Sequence, residues 1–525
     1  MIACNDLRTL TETAAARWGD RPALRMAGDE KAMSYAELDR AVSYMRQRLA
    51  QMGVEPGDRV GVMMSNRIAF PICWLGIVTM GASMVPLNRY YQSADAAHLI
   101  SHSGMKILIL EPEYVPVAQK ACAELGQELS LLVFADTADE EFLHTPPEGG
   151  VEVATRPVGE TVANIQYTSG TTGLPKGCVL THLYWCRLAR MIAAGPPLLG
   201  VDDVLFTAQP FYYMDPQWNL VTAMTTGATL VVAPRFSATK FWQQVRHDGV
   251  TFFYCLGMMP AALLAQPVDP QEADHKVRAV LVSGIPVDIH GEMEERFGVK
   301  WYESYGMTET GGDLRMPESE HDRLVGTGAI GMPYHDREVR VVDDAGAVVP
   351  RGENGQLILR GPGLMDRYFR DPDATARVFG DGWFHTGDVV RQDSDGMVYF
   401  VGRTKDMIRR SGENVAAVEV ERVIAKHPGV LSVACVPEPD ALRGEEVKAF
   451  VILDGTPGAA DVEDRLAEIR AWCGDKLAYF KIPRYWSAIE SFPLTPSERV
   501  AKGQLVTQAR EQNIPVWDLA EQRGQ

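Results

Sequence analysis

The sequence has no conspicuous run of lysine or arginine residues, and its formal net charge is -18 over 525 residues. An acidic chain without a basic patch cannot neutralise the phosphates of a nucleic acid, so we expect no nucleic-acid partner. The eight cysteines are scattered and form no Cys-x-x-Cys pair. The sequence therefore predicts neither a zinc site nor a disulfide framework, and it fits a reducing cytoplasm.

Hydrophobic runs long enough to span a membrane are also absent. The longest one, residues 72–87, is interrupted by Gly76 and Gly81 and is short for a membrane span, so it predicts a buried helix and strand. Residues 1–20 show no basic segment followed by an apolar one, so we expect no signal peptide and a cytoplasmic location. The length exceeds that of a single ordinary core and predicts two or more domains.

Helical and extended patterns alternate along the first 300 residues. Ser34 and Glu37 have the spacing of a capping box, and apolar residues then recur at helical intervals to residue 53. Strand-like, helical and again strand-like runs follow over residues 58–110 and return after residue 180. This alternation predicts parallel sheets covered by helices.

The pattern changes towards the C-terminus. From about Gly331, short strands alternate with turns rich in glycine and aspartate, which predicts a small antiparallel or barrel-like piece. After Arg403 the sequence indicates a separate α+β unit. We therefore predict a large domain at residues 1–403 and a smaller one at 404–525.

The most informative stretch is residues 167–177, which read Tyr-Thr-Ser-Gly-Thr-Thr-Gly-Leu-Pro-Lys-Gly. Hydroxyls, bare backbone amides and one lysine are what a loop needs to wrap a polyphosphate. The stretch is not a Walker loop, because Lys176 is followed by Gly177 rather than by serine or threonine. A surface turn is the alternative, and most stretches rich in glycine and threonine are such turns.

Six further stretches show that residues 167–177 are part of a larger set of motifs. They are Ser283-Gly284, Tyr305-Gly306-Met307-Thr308-Glu309, Thr386-Gly387-Asp388, Gly402-Arg403-Thr404-Lys405, Ser411-Gly412-Glu413 and Pro493-Leu494-Thr495-Pro496-Ser497. Together with the loop they resemble the acyl-adenylate-forming enzymes, from about residue 10 to about residue 507. Within that superfamily the chain is similar to the crotonobetaine/carnitine-CoA ligases.

The resemblance implies a role for each matching residue. The phosphate loop would bind ATP through Thr168, Ser169, Gly170, Thr171, Thr172, Gly173 and Lys176. Tyr305 and Gly306 would contact adenine, Thr308 the α-phosphate, and Glu309 would hold Mg²⁺, for which a carboxylate oxygen is a suitable ligand. Thr168, Lys176 and Glu309 are also predicted to be catalytic.

The remaining matches concern adenosine and the thiol. Ser283 and Gly284 correspond to the loop at the adenine edge, and Asp388 would accept hydrogen bonds from the ribose hydroxyls. Arg403 would reach the ribose or phosphate. The resemblance also implies that residues 1–403 are an AMP-binding adenylation domain and residues 404–525 a mobile C-terminal domain. It further implies a hinge at Lys405 and a pantetheine tunnel at Gly412.

The last motif departs from the family pattern. Its usual Ser-Gly-Lys-Val is replaced by Ser497-Glu498-Arg499-Val500. A cation is kept, but guanidinium and ammonium are not interchangeable at a tight phosphate contact. Either Arg499 or Lys502, three residues further on, is the predicted cation of the adenylation step.

The acyl pocket of the family corresponds to residues 209–218. Tyr212, Tyr213, Asp215 and Trp218 could form an aromatic cage with one acid for a trimethylammonium head. The alternative is that the rings belong to the core and Asp215 caps a helix.

The sequence thus predicts an α/β enzyme of the adenylate-forming fold, with large helix-covered sheets, a small barrel-like subdomain and a small α+β C-terminal domain. It would be an acid–thiol ligase that uses ATP, Mg²⁺ and CoA and forms an acyl-AMP. The acid could be aliphatic or betaine-like, and a fatty or aryl acid stays open. Three further alternatives also stay open: a carrier protein as the acyl acceptor, a non-catalytic nucleotide-binding role, and assembly as a homodimer.

Overall fold

The computed structural model describes residues 1–134, 144–150, 153–168, 175–410, 413–440, 443–455, 461–474, 476–495 and 499–519, with the backbone alone at 405, 413 and 414. The chain forms two compact units. The large unit lies within residues 1–168, 176–338 and 360–379, and the small unit is built mainly of residues 339–359 and of the chain from Gly380 onward.

The helices are numbered in chain order. Helices α1 to α15 are Leu7–Trp18, Tyr35–Gln51, Ala69–Thr79, Ser93–Ser103, Val115–Leu125, His182–Ala193, Met214–Thr226, Phe241–His247, Met259–Leu264, His290–Phe297, Glu318–Leu324, Pro372–Val378, Ala417–Ile424, Val462–Gly474 and Lys502–Glu511. Short 3-10 turns occur at Pro112–Tyr114 and Thr404–Asp406.

The strands are numbered in the same way. Strands β1 to β13 are Pro22–Met26, Met33–Ser34, Arg59–Met63, Ser83–Pro86, Ile107–Leu110, Ser130–Val133, Val162–Thr168, Lys176–Thr181, Val204–Thr207, Thr229–Val232, Phe252–Leu256, Ala279–Ser283 and Trp301–Met307. Strands β14 to β26 are Gly311–Arg315, Ala329–Pro333, Glu338–Val342, Asn354–Arg360, Phe379–Gly380, Trp383–Gln392, Val398–Arg403, Met407–Arg410, Glu413–Ala416, Val430–Asp440, Gly444–Leu453, Tyr485–Ala488 and Trp517–Asp518.

Helix α2 begins where its capping box predicts. The Ser34 side chain accepts a hydrogen bond from the Glu37 backbone N–H, and the Glu37 carboxylate accepts one from the Ser34 N–H. The two bonds satisfy amide groups that have no partner within the helix. Apolar residues at helical spacing, including Leu38, Val42 and Met45, are then buried.

One sheet of the large unit runs in the order β15-β14-β13-β12-β11-β9-β10-β1-β2. Its central strands β13, β12, β11, β9, β10 and β1 are parallel, and antiparallel pairs lie at both ends. A buried cluster that includes Phe206, Phe253, Val280 and Trp301 covers this sheet. The carboxyl ends of parallel neighbours lie at one edge, where ligands commonly bind in open α/β sheets.

The second sheet of the large unit has the order β6-β5-β3-β4-β7-β8. Strands β3, β4, β5, β6 and β7 are parallel, and β8 pairs antiparallel with β7. Helices α3 and α4 connect successive strands of this sheet. The parallel, helix-covered architecture that the sequence predicts is confirmed.

The small unit contains two groups of strands. Strands β16, β17, β19 and β20 lie side by side, and β19 pairs antiparallel with both β17 and β20. The other group has the order β22-β21-β24-β25-β26, with β23 antiparallel to β24. Apolar residues of α13, α14, β23 and β24 pack into one core that includes Val420, Cys435, Val451 and Ile469. Among the described residues, no helix is long and apolar enough to cross a membrane.

Arg337 and Asp313 form a fully buried ion pair in the large unit, 2.8 Å between Nε and Oδ1. We expect Arg337→Ala to lower the free energy of unfolding by about 3–5 kcal/mol, because Asp313 would stay buried without its counter-charge. Urea denaturation followed by tryptophan fluorescence measures the change.

Arg360→Ala is the matched control. Arg360 pairs with Glu338 at 2.7 Å, but the side chains are 45% and 62% exposed. The control should change the free energy of unfolding by less than about 1 kcal/mol. Equal changes in the free energy of unfolding for the two variants would contradict a larger contribution of the buried ion pair to stability.

Candidate active site

Strands β7 and β8 flank the predicted phosphate loop. They pair antiparallel, and Thr168 lies opposite Lys176 at the end of the ladder. The Thr168 hydroxyl donates to the Lys176 carbonyl oxygen at 3.5 Å. The predicted loop residues Ser169, Gly170, Thr171, Thr172 and Gly173 lie outside the described residues. The pairing holds Thr168 and Lys176, the two ends of the predicted phosphate loop, next to each other on a β-ladder.

Strand β13 and the turn after it carry Tyr305, Gly306, Thr308 and Glu309. A Cβ atom at Gly306 would lie 1.8 Å from the Gly311 carbonyl oxygen, so only glycine fits there. The Tyr184 hydroxyl donates to the Thr308 carbonyl oxygen at 3.0 Å. Thr308 and Glu309 are both half-buried. This segment is therefore fixed through its backbone, while the side chains stay accessible.

Tyr368 and Cys178 connect this turn to the β7–β8 pair. The Tyr368 hydroxyl donates to Glu309 Oε1 at 2.8 Å, and the Lys176 ammonium lies 5.2 Å from the centre of the Tyr368 ring. The buried Cys178 thiol lies close enough to Glu309 and Lys176 for both charges to act on it. Burial, with the Glu309 charge second, raises the pKa of Cys178 well above its ordinary value, so the thiol stays neutral. The predicted catalytic residues Thr168, Lys176 and Glu309 thus lie together.

The predicted loop at the adenine edge follows β12. Gly284 has a φ of +81°, which favours glycine, and the Ser283 hydroxyl donates to the Ser304 carbonyl oxygen at 2.7 Å. The carboxylate of Glu303 accepts hydrogen bonds from the Gly284 N–H at 2.6 Å and the Ile285 N–H at 3.2 Å. Burial raises the pKa of Glu303 to about 8, although both backbone N–H groups favour the ionised form. A buried carboxyl group therefore holds this loop against β13.

The predicted acyl segment is held from beneath by buried amide side chains. Gln217 Nε2 donates to the carbonyl oxygens of Phe211 at 2.8 Å and Tyr213 at 3.1 Å. Gln217 Oε1 accepts from Asn164 Nδ2 at 2.8 Å, and Gln166 Nε2 donates to the Tyr212 carbonyl oxygen at 2.7 Å. Asn164 and Gln166 belong to β7, so the strand before the phosphate loop also positions the acyl segment.

The side chains of the acyl segment form an aromatic wall with one acid. The rings of Tyr212 and Tyr213 are 4.7 Å apart, and Trp218 packs on Tyr254 at 5.2 Å. Trp218 Nε1 donates to Asp215 Oδ1 at 3.3 Å. Tyr212 and Trp218 are buried, whereas Tyr213 and Asp215 are half-buried. Asp215 lies in the first turn of α7. The alternative that it stabilises the start of this helix therefore stays open.

The predicted ribose residues lie in the small unit. Asp388 on β19 is opposite Arg403 on β20, and Arg403 Nε is 3.0 Å from Asp388 Oδ1. The structure brings these two residues together. Lys405 falls in the short 3-10 turn Thr404–Asp406, and its side chain is not described. Gly412, the predicted tunnel residue, lies outside the described residues.

The two candidate cations of the C-terminal motif differ in their surroundings. Lys502 begins α15, and its ammonium lies 2.7 Å from Glu421 Oε1. Burial opposes the charged form of Lys502, but Glu421 and Asp406 raise its pKa on balance. Arg499 is exposed, and its backbone N–H donates to Thr495 Oγ1 at 3.2 Å. Lys502 is thus engaged in a structural ion pair.

Glu309 offers a hard oxygen ligand beside the phosphate-binding stretch. Mg²⁺ commonly binds one or two carboxylates together with substrate phosphates, and a single carboxylate there fits that pattern. A different group of possible metal ligands, His290, Glu294 and His321, lies elsewhere among the described residues. Both ring nitrogens of His290 are hydrogen-bonded to the backbone: Nε2 to the Trp301 carbonyl oxygen and Nδ1 to the Gly326 N–H. We therefore interpret this group as a hydrogen-bond network.

Sequence reasoning missed Glu303, Tyr368 and Cys178. Glu303 lies two residues before Tyr305, and an acid inside a hydrophobic strand could have drawn attention to it. Tyr368 is 59 residues from Glu309 in the chain, and no spacing rule links the two.

The buried Glu303 predicts a pH dependence. Its pKa lies near 8 in the folded protein and near 4.5 when exposed. Between these values the folded state keeps a proton that the unfolded state has lost, so raising the pH lowers the free energy of unfolding by up to about 1.4 kcal/mol per pH unit. Glu303→Gln should remove this slope. Urea denaturation of both proteins between pH 5 and 8 tests it, and a difference that does not vary with pH would contradict it.

Two family comparisons cover most of the chain. Residues 11–369 match the family of AMP-binding enzymes, and residues 419–499 match the AMP-binding enzyme C-terminal domain. The crotonobetaine/carnitine–CoA ligase of Salmonella typhimurium (strain LT2) is 32% identical over 523 residues, which cover 96% of this chain and 99% of that protein. The ligase of the same name from Salmonella heidelberg (strain SL476) has the same identity and coverage.

Solved structures agree with these matches. ATP-bound MatB from Rhodopseudomonas palustris has a TM-score of 0.84 and 25% identity, covering 97% of this chain and 99% of that one. The o-succinylbenzoate CoA synthetase of Bacillus subtilis, in complex with ATP and a magnesium ion, has a TM-score of 0.82 and 25% identity, covering 96% and 99%. The resemblance, the fold class and the enzyme class predicted from the sequence are confirmed. The chain belongs to the AMP-binding enzyme family, in its AMP-forming acyl-CoA synthetase branch.

Proposed function

We propose that this enzyme activates a betaine-like carboxylic acid with ATP, forms an acyl-AMP and transfers the acyl group to CoA. AMP and pyrophosphate are released. The convergence of Thr168, Lys176 and Glu309 around Tyr368 and Cys178 carries the proposal. A hydroxyl, a cation and a carboxylate lie close together there, and a metal–polyphosphate complex would need all three.

In the first half-reaction the substrate carboxylate attacks the α-phosphorus and pyrophosphate leaves. Lys176 and the N–H groups of the stretch it closes would balance the negative charge that develops on the phosphate oxygens. Thr308 would donate to the α-phosphate and Glu309 would hold Mg²⁺. The metal supplies charge neutralisation for the phosphates. In the second half-reaction the CoA thiol attacks the acyl carbon and AMP leaves.

Residues of the small unit are proposed to bind the ribose and to take part in the second step. Asp388 would accept hydrogen bonds from the ribose hydroxyls, with Arg403 holding its carboxylate. We further propose residues 404–525 as the mobile domain, Lys405 as its hinge and Gly412 at the pantetheine passage. Arg499 and Lys502 are both proposed as candidates for the adenylation cation, and Lys502 forms an ion pair with Glu421.

The acid is inferred from the aromatic wall after β9. Asp215 is a half-buried carboxylate beside the buried ring of Trp218, and Tyr212 and Tyr213 lie three and two residues before it. Aromatic faces and one carboxylate together stabilise a quaternary ammonium group. The relatives named as crotonobetaine/carnitine–CoA ligases give independent support. The substrate proposed is therefore a short acid with a trimethylammonium group.

The enzyme assay compares crotonobetaine and carnitine with 5,5-dimethylhex-2-enoate, in which carbon replaces the charged nitrogen. Medium-chain fatty acids and benzoates complete the panel. Each acid is incubated with ATP and Mg²⁺, with and without CoA, and AMP and acyl-CoA are measured by mass spectrometry. We expect acyl-CoA and an equal amount of AMP from the charged acids, at a kcat/KM at least about tenfold above that of the neutral isostere.

The other outcomes separate the alternatives. A preference for a fatty or aryl acid would contradict the betaine-like substrate and leave the ligase reaction intact. Acyl-AMP that CoA cannot discharge would favour loading of a separate carrier protein. ATP binding without AMP formation from any acid in the panel would contradict the ligase reaction and favour a non-catalytic nucleotide-binding role.

Asp215→Asn tests the proposed counter-charge. Removing one charge at nearly constant size should raise the KM for crotonobetaine by at least about tenfold, equivalent to ~1.4 kcal/mol of binding. The KM for the neutral isostere should change less than about twofold. Steady-state kinetics on both acids measures the difference, and an equal loss for both would indicate that Asp215 only fixes the start of α7.

A further inference from the structure

Tyr368 lies on a short segment that runs beside β8. The Phe369 N–H donates to the Gly177 carbonyl oxygen at 2.7 Å, and Tyr368 forms an isolated antiparallel bridge with Cys178. Three residues earlier, the Met365 N–H donates to the Glu309 carbonyl oxygen at 2.7 Å. Backbone bonds on both sides thus fix the segment, and the Tyr368 side chain is only 6% exposed.

The hydroxyl of Tyr368 acts on Glu309. It donates to Oε1 at 2.8 Å, so that oxygen is occupied and the orientation of the carboxylate is restricted. A phenol carries its proton at neutral pH and is therefore the donor of this hydrogen bond. One carboxylate oxygen of Glu309 is thereby engaged by the protein.

The ring of Tyr368 acts on Lys176. The ammonium lies 5.2 Å from the ring centre, within the range of a cation–π contact. Lysine has a long flexible side chain, so a contact with a rigid ring reduces the positions that the ammonium can adopt. One tyrosine side chain thus contacts a carboxylate through its hydroxyl and a cation through its ring.

We propose that Tyr368 is a positioning residue for both charges of the adenylation site. Its hydroxyl restricts the orientation of Glu309, which would hold the divalent ion, and its ring restricts Lys176, which would contact the phosphates. The inference rests on the proposed function only in that this site binds a metal–ATP complex. It does not depend on which acid is activated.

The test uses Tyr368→Phe, which removes the hydroxyl and keeps the ring. Tyr184→Phe is the matched control, because Tyr184 is also buried and its hydroxyl donates to the neighbouring Thr308 carbonyl oxygen. ATP affinity is measured by calorimetry with MnCl₂ and, separately, with EDTA. The quantity compared is the ratio of the two affinities, which reports the contribution of the metal ion.

We expect Tyr368→Phe to lower this ratio about tenfold, as removal of a hydrogen-bond partner of a metal ligand commonly does. Its affinity for ATP in EDTA should stay within about twofold of wild type, because the ring is retained. Tyr184→Phe should leave the ratio unchanged even if it weakens both affinities. Binding of Mn²⁺ to the protein–ATP complex, followed by electron paramagnetic resonance, gives a second readout independent of activity.

A double-mutant cycle with Glu309→Gln isolates the pairing. If Tyr368 acts through Glu309, adding Tyr368→Phe to Glu309→Gln should lower the ratio no further. An unchanged ratio in Tyr368→Phe, or additive losses in the double variant, would overturn the positioning role. Absence of nucleotide binding by the wild-type protein would instead overturn the adenylation function, and this inference with it.

Discussion

The buried side chain of Gln217 joins the two sheets of the large unit at the point where the site is built. It bonds to Asn164 on β7 and to the carbonyl oxygens of the segment that follows β9. A buried amide is stable only when its donors and acceptors are satisfied, so these bonds allow little variation in geometry. The strand before the predicted phosphate loop and the predicted acyl segment are therefore held in a fixed position relative to each other.

Around that connection, buried polar groups contact the residues that are proposed to react or to bind ATP. Glu303 holds the loop at Gly284, Tyr184 holds the carbonyl of Thr308, and Tyr368 contacts both Glu309 and Lys176. In each case a buried group bonds to a backbone atom or an accessible side chain next to it. Such preorganisation matters for charge stabilisation, because groups that are already oriented need not reorganise as the reaction proceeds.

The proposed acyl wall differs from the proposed nucleotide site in what its ligand demands. Every member of the family binds the same phosphates, ribose and adenine. The residues around the acyl group, in contrast, have to match the shape and charge of one particular acid. Here Asp215 and three aromatic residues, Tyr212, Tyr213 and Trp218, distinguish the wall from a purely apolar one. A charged group beside aromatic faces favours a cationic ligand more than a hydrocarbon chain.

The sequence alone determined the parallel sheets and the start of α2, because these depend on local periodicity and capping. It predicted the residues of the nucleotide motifs through their resemblance to a family. Gly306 was found as part of a motif, but only the 1.8 Å approach of the Gly311 carbonyl oxygen explains why it must be glycine. Tertiary structure alone decided the contacts of Tyr368 with Glu309, of Asp388 with Arg403 and of Lys502 with Glu421. These partners are separated by 15 to 81 residues, and their approach depends on how strands and helices pack rather than on any local pattern.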